Sequence, residues 1–263
     1  MKTLVANIFR RYLPTALKQG VKRVLGMPAK RLHSDWSMLE PIDCGENQHV
    51  VFDLGARNGW FFSCWKAFCS NAVVHAFEPD QAAYKRLVNR FSNDENVVLI
   101  DKGVGESESV ETFYHLADSE VSSSFLQHDP SVWEEIKYQT GDVQERQLEV
   151  TTLDSYCQEN TVDSIYLLKI DIQGYELRAL KGASKTLKVT DYVFVESVIK
   201  PLYKGAASFT QVHEFMVAQG FHLMNFRAWH RGNNVLMETD MLFRRNELAP
   251  EVDVNREGDR DYI

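Results

Sequence analysis

The chain has 263 residues, of which 44% are hydrophobic and 25% charged, an ordinary globular composition that suits one α/β domain with extensions and is short for two. Its net charge is −8, and the 37 acidic residues all follow residue 34. A body that acidic excludes a general nucleic-acid binder.

Residues 1–35 form a basic extension. Eight Lys and Arg fall within residues 1–34, with no Asp or Glu. Pro14 divides the segment. Before it, Leu4, Val5, Ile8, Phe9 and Tyr12 share one helical arc; after it, Leu17, Val21, Val24 and Leu25 form another. Two short basic amphipathic helices are expected, and three readings stand for them: packing on the domain, attachment to an anionic membrane surface, or a mitochondrial presequence. No stretch approaches the run of about 18 uncharged apolar residues that spans a bilayer. The N-terminus also lacks the continuous apolar core of a secretory signal. The four cysteines, Cys44, Cys64, Cys69 and Cys157, show no C-x-x-C spacing, so they read as reduced thiols of a cytoplasmic protein.

From residue 48 strands alternate with helices. "HVVFDLG" is a strand followed by a helix through Trp65 and Phe68. "AVVHAFEP" is a second strand, and "DQAAYKRLVNRF" a helix with Ala83, Leu87 and Phe91 on one side. "NVVLIDKGV" reads as a third strand, "LLKID" as a fourth with its helix, and "DYVFVES" as a fifth. Short apolar strands between helices predict a parallel sheet covered on both faces. The closing "FHLMNFRAWHRGNNVLMETDMLFRR" reads as an antiparallel hairpin turning at Arg231-Gly232-Asn233-Asn234. The domain therefore spans 36–245, with 117–146 a long polar insert of the kind that serves as a lid or acceptor element. Residues 246–263, with six acids and two arginines, read as a frayed acidic tail.

In such a sheet ligands bind beyond the carboxyl ends of the strands. The first end is "VFDLGARNGWF": Asp53 can accept from an ammonium or a water, and Gly55 and Gly59 let a ligand approach the backbone. The spacing is D-x-G-x-x-x-G, not the G-x-G-x-x-G of dinucleotide binders. The second strand ends on Glu78, placed to accept from both hydroxyls of a ribose, with Pro79-Asp80 starting the next helix. At the third, Asp101 faces an adenine amino group and Gly103 leaves room for its ring. No phosphate-binding motif is present. These ends describe an adenosine ligand without phosphates, and S-adenosylmethionine fits them.

The segments "VFDLGARNGWF", "AFEP", "VTTLDSYC", "LLKIDIQGYELRALKGA" and "VFVES", in this order over residues 48–245, resemble the FkbM family of S-adenosylmethionine-dependent methyltransferases. The resemblance implies a class I methyltransferase fold, Rossmann-like, whose seven-stranded sheet ends in the antiparallel hairpin and is flanked by helices. It implies O-methylation of hydroxyls, often on sugars of polysaccharides, glycolipids or glycosylated natural products. Carried over by position, Asp53, Gly55, Ala56, Asn58 and Gly59 form the methionine-side loop, and Glu78 with Pro79 holds the ribose. Asp101, Gly103, Ser123 and Ser124 lie by the adenine. Trp60 stands where Tyr or Phe is more usual, and the basic segment lies outside the resemblance.

The expected cofactor is S-adenosylmethionine and the partner a small-molecule or glycan acceptor, with no nucleic acid. A sugar hydroxyl is a weak nucleophile, so a base is expected. Asp171 is the first candidate and Glu196 the second. The competing structural reading makes Asp171 an N-cap with Lys169 as its ion partner. A Mg²⁺ shared by the two carboxylates is chemically reasonable, but nothing in the sequence requires a metal. His115, His213, His222 and His230 read as structural, with His230 near the hairpin turn. Trp133, Tyr203 and Trp229 are candidates for stacking on a sugar ring. A nicotinamide-dependent oxidoreductase lacks support in the glycine spacing; a non-catalytic relative that binds S-adenosylmethionine remains the alternative.

Overall fold

The alternating pattern folds into two sheets. The protein was analysed as a computed structural model that describes residues 32, 34–44, 47–116, 122–135, 141–231 and 235–248. The basic segment up to Arg31, residues 232–234 at the hairpin turn and the tail beyond Leu248 lie outside the described residues.

The main sheet contains β1 (His49–Leu54), β2 (Ala72–Phe77), β3 (Val97–Ile100), β7 (Ile165–Ile170), β8 (Thr190–Val198), β9 (Phe221–Arg231) and β10 (Val235–Arg245). Its order is β3-β2-β1-β7-β8-β10-β9. The first five strands pair in parallel, whereas β10 runs antiparallel to both β8 and β9. Chain order reverses between β1 and β7, and the carboxyl ends flanking that point are the place for a ligand. This is the seven-stranded class I methyltransferase sheet, closed by the antiparallel hairpin.

Helices cover both faces. On one side α1 (Trp60–Phe68) and α2 (Gln81–Phe91) bury Phe61, Phe62, Trp65 and Leu87 against Val51, Val74 and Leu167. On the other, α4 (Leu153–Glu159), α5 (Glu176–Lys181) and α6 (Phe209–Ala218) cover Phe52, Leu168, Val193 and Met241. Each large side chain so buried contributes about 2 kcal/mol. Local signals set the helix starts. Asp80 accepts from the backbone N–H of Ala82 and Ala83, and Ser208 forms a capping box with Gln211.

"NVVLIDKGV" is not one strand. The main-sheet strand stops at Ile100, and β4 (Gly103–Val104) joins a second sheet of order β4-β6-β5. Its other members are β5 (Ser109–Leu116) and β6 (Val143–Thr151), which pair antiparallel. The break has a physical cause. β3 is the edge of the main sheet, so a chain leaving it finds its next backbone partners on Val150 and Thr151. Between β5 and β6, residues 122–126 run back along β5 through a Tyr114–Ser124 bridge, and α3 (Pro130–Glu135) follows.

The cysteines also depart from expectation. Cys44 and Cys69 form a disulfide with Cα atoms 5.5 Å apart, tying the segment before β1 to the end of α1; Cys64 and Cys157 are free thiols. Their separation of 25 residues gave no local signal, because only the tertiary fold brings them together. Among the described residues no helix is long and apolar enough to cross a membrane.

Candidate active site

A cavity of about 420 Å³ opens at the carboxyl ends of β1, β2, β7 and β8, within the size range of small-molecule sites. Its floor begins at β1. Gly55 has φ +77°, and a Cβ added there would lie 2.0 Å from the backbone oxygen of Asp171, so only glycine allows the loop to pass this close to β7. The turn is pinned by Gly55 and Ala56 N–H bonds to the Phe77 carbonyl, 3.1 and 3.0 Å. Arg57, a cavity-wall residue, also has positive φ, +50°.

Beneath the loop sits a buried ion pair. Lys169 Nζ lies 3.0 Å from Asp53 Oδ1 and 3.6 Å from Asp171 Oδ2. It also donates to the carbonyls of Leu54 and Gly55, at 3.2 and 3.1 Å. Burial alone would lower the Lys169 pKa, but the adjoining carboxylates of Asp53 and Asp171 outweigh it and raise it, so the ammonium stays charged.

Glu78, at the end of β2, faces the cavity with both carboxylate oxygens oriented by the backbone. Oε2 accepts from Arg57 N–H at 2.7 Å and Oε1 from Asp80 N–H at 2.9 Å. Burial pushes its carboxyl up to about 7, against these two bonds. A carboxylate has about four acceptor positions, so one on each oxygen remains for a diol. Asp80 in turn ties α2 to the second sheet: its Oδ2 lies 2.8 Å from Arg146 Nη1 and 2.9 Å from His115 Nδ1.

The other end of the cavity is acidic. Asp171, Glu196 and Glu238 all line it. Gln173 stands between the first two; its Nε2 donates to Asp171 Oδ1 at 3.2 Å and to Glu196 Oε2 at 2.9 Å. Burial, then the neighbouring charges of Asp171, Glu238, Asp240 and Glu176, raise the Glu196 pKa well above the usual carboxylate range. Asp171 is not an N-cap. The helix that follows begins at Glu176, whose own buried carboxylate accepts from Ile172 and Gly174 N–H at 3.1 and 3.0 Å.

Of the residues expected at the site, Gly55, Glu78, Pro79, Gly103, Ser123, Asp171 and Glu196 line the cavity. Asp53 lies under the wall on Lys169, and Ala56 is buried in the core. Asn58 and Asp101 are exposed and do not line it, though their neighbours Arg57 and Lys102 do, and Asn58 Oδ1 accepts from Trp60 N–H. Gly59 packs on Phe62 and Phe91 at the start of α1. Ser124 is buried, donating to the Gln173 carbonyl at 2.7 Å. Phe125 stands over Gly103, where an added Cβ would meet its ring at 2.5 Å.

Two stacking candidates are withdrawn. Trp133 and Tyr203 are only 4% and 2% exposed and belong to one apolar cluster, the indole N–H donating to the Leu202 carbonyl. The side chains of Trp229 and His230 lie outside the described residues. Sequence reasoning gave no site role to Gln173, Glu238 or Arg57. Gln173 and Arg57 stood inside quoted motifs, while Glu238 on the final hairpin carried no local signal.

The strand order, with the antiparallel hairpin at its edge, defines a class I methyltransferase architecture. A family model described as "Methyltransferase FkbM domain" matches residues 43–223. The chain belongs to the FkbM methyltransferase family and is an S-adenosylmethionine-dependent methyltransferase. It is 23% identical over 207 residues to 2-O-methyltransferase NoeI of Sinorhizobium fredii (strain NBRC 101917 / NGR234), covering 76% of this chain and 80% of that one. Among solved structures, an rRNA methylase from Streptococcus thermophilus aligns with TM-score 0.41 and 15% identity over 76% of this chain and 88% of that one. Aeropyrum pernix fibrillarin with bound S-adenosyl-L-methionine aligns with TM-score 0.42 and 9% identity over 77% and 68%. Scores this low assign nothing to this chain.

The residues present fit S-adenosylmethionine. Glu78 keeps free acceptor positions for the ribose, and Gly55 and Gly103 stand in the same cavity wall.

Proposed function

We propose that this enzyme methylates a hydroxyl oxygen, that of a sugar in a glycan, glycolipid or glycosylated metabolite. The observation that carries the reading is the convergence of Asp171 and Glu196 on one amide at the cavity wall. A hydroxyl needs a proton acceptor as it attacks, and a carboxylate with a raised pKa is a competent one. The name of the rhizobial relative, 2-O-methyltransferase, supports the same chemistry.

When bound, S-adenosylmethionine supplies a methyl group on a positively charged sulfur, already activated for in-line attack. The chain's own work is to place the acceptor and take its proton. Glu196 takes it on Oε1, the oxygen that Gln173 leaves open. Asp171 is instead paired with Lys169, 3.6 Å from it. Its role is to accept a hydrogen bond from a neighbouring hydroxyl. Positioning of this kind can supply several kcal/mol.

The test is transfer of labelled methyl from S-adenosylmethionine to a panel of glycans and glycolipids, with Glu196→Gln as control. Label entering nitrogen or carbon instead of oxygen would sink the reading. For the basic segment 1–34 we infer attachment to an anionic membrane surface, at about 1 kcal/mol per Lys or Arg near the lipid. Equal flotation on anionic liposomes of the full chain and a form starting at Ser34 would refute it.

A further inference from the structure

Gln173 has an unusual setting for a residue that is neither glycine nor asparagine. Its backbone lies in the left-handed region at φ +57°, a conformation that costs free energy and persists only where its surroundings enforce it. Two groups enforce it here. Ser124 Oγ donates to its carbonyl at 2.7 Å, and Tyr203 OH donates to its side-chain Oε1 at 2.8 Å. The second bond fixes which end of the amide faces the acids. With Oε1 held by Tyr203, Nε2 presents its hydrogens to Asp171 Oδ1 and Glu196 Oε2.

The surroundings of Glu196 make that donor matter. Asp171 and Glu176 face it from the end of β7 and the start of α5, and Glu238 and Asp240 from β10. The cation on the β7 side is Lys169, which pairs directly with Asp53 and the glycine-loop carbonyls and acts on Glu196 only through space. On the β10 side Arg227 pairs with Asp240 at 2.8 Å. Tyr203, also close by, is neutral and already donating. A carboxylate in such company would bind a proton and lose its basicity unless a neutral donor stabilised its charged form.

We infer that Gln173 is a positioning residue: its side-chain amide, locked by Tyr203, holds Glu196 ionised and aimed so that Oε1 can take the acceptor proton. The inference rests on the assignment of Glu196 as the base. During turnover the acceptor O–H bond breaks, the proton passes to Glu196, a C–O bond forms, the C–S bond breaks, and a neutral thioether leaves. Gln173 itself exchanges no proton; it acts through Glu196.

The discriminating variant is Gln173→Gly. Glycine adopts positive φ freely, so the backbone relaxes, and Tyr203 keeps a partner in the Ser122 carbonyl at 3.1 Å. The variant should fold with an unchanged circular-dichroism spectrum and bind S-adenosylmethionine as the parent does. Two readouts then separate positioning from mere structure. In a ¹³C carboxyl titration without acceptor, the Glu196 signal, assigned with Glu196→Gln, should titrate at higher pH in the Gly variant. On an acceptor found in the panel, kcat should fall by about tenfold or more, the worth of one hydrogen bond to a charged group. Tyr203→Phe should move both in the same direction by less. An unmoved Glu196 titration in the Gly variant, or full turnover, would overturn the inference. The titration needs no acceptor, so failure of the hydroxyl-transfer reading and failure of the clamp are told apart.

Discussion

Glu78 offers the sharpest test of the cofactor site. Arg57 N–H and Asp80 N–H each occupy one acceptor position on its two oxygens, leaving one per oxygen for the ribose hydroxyls. Hydrogen bonds to a charged acceptor are worth about 1.5–3 kcal/mol each. Removing both with Glu78→Ala should weaken S-adenosylmethionine binding by roughly 10²- to 10⁴-fold. The pH dependence follows from the same geometry. Burial pushes the Glu78 carboxyl up to about 7, and an added proton takes an acceptor position that either the backbone or the ribose needs. Affinity should therefore be full at about pH 8 and roughly tenfold lower at about pH 6, where about a tenth of the group is ionised. Glu78→Gln, which cannot titrate, should bind weakly with no such slope. Isothermal titration calorimetry across this range measures both. A flat profile in the parent, or the parent's slope persisting in Glu78→Gln, would refute the assignment.

Glu196→Gln should reduce kcat by at least about 10²-fold, the usual worth of a general base, and leave cofactor affinity unchanged, whereas Asp171→Asn should mainly raise KM for the acceptor. Steady-state kinetics with calorimetry separates the two; equal kcat losses would reverse the division of roles. Burial pushes Glu176 up to about 7, above its ordinary 4.5, so its contribution to stability is fully present below about pH 4.5 and is lost as pH rises through about 7. Glu176→Gln keeps an oxygen for the Ile172 and Gly174 N–H groups, so in denaturant titrations it should leave the unfolding free energy unchanged near pH 4 and raise it at about pH 8, by up to about 3 kcal/mol. Thiol titration of the denatured, unreduced protein should count two free cysteines, Cys64 and Cys157, and Cys44→Ser should cost about 3 kcal/mol for a loop of 25 residues. Four reactive thiols would refute the bridge.

What could be read from the sequence was what alternation and strand ends encode. The five parallel strands, the hairpin and Glu78 at the end of β2 all announce themselves locally, through apolar runs of strand length closed by glycine or an acid. The second sheet did not, because β4 is two residues long and its partner, β6, follows about 40 residues later, across a polar insert. Asp53 shows the same limit at the site. An acid before a glycine loop looks like a ligand contact, yet register places it against Lys169, and the pair spends its charge inside the protein.

Register also explains why a core strand can end in so many polar groups. Asp53 is paired across from Lys169, Lys169 from Phe194, and Glu196 from Asp240. Because side chains alternate along each strand, Asp53, Lys169, Glu196 and Asp240 continue the face that carries Val51, Leu167, Phe194 and Leu242 lower in the sheet. One face thus changes from apolar to charged toward the carboxyl ends of the parallel strands, two residues later on β8 and its partner β10 than on β1 and β7. The change is sustainable because each charge there has a stated counterpart: Asp53 has Lys169, Asp240 has Arg227, and Asp171 has both Lys169 and Gln173. Glu196 is the exception. It is held by a neutral amide where Asp53, Asp171 and Asp240 lie against cations, and it combines a raised pKa with a place in the cavity wall. On the proposed reading, the base in this row is the carboxylate that an amide holds.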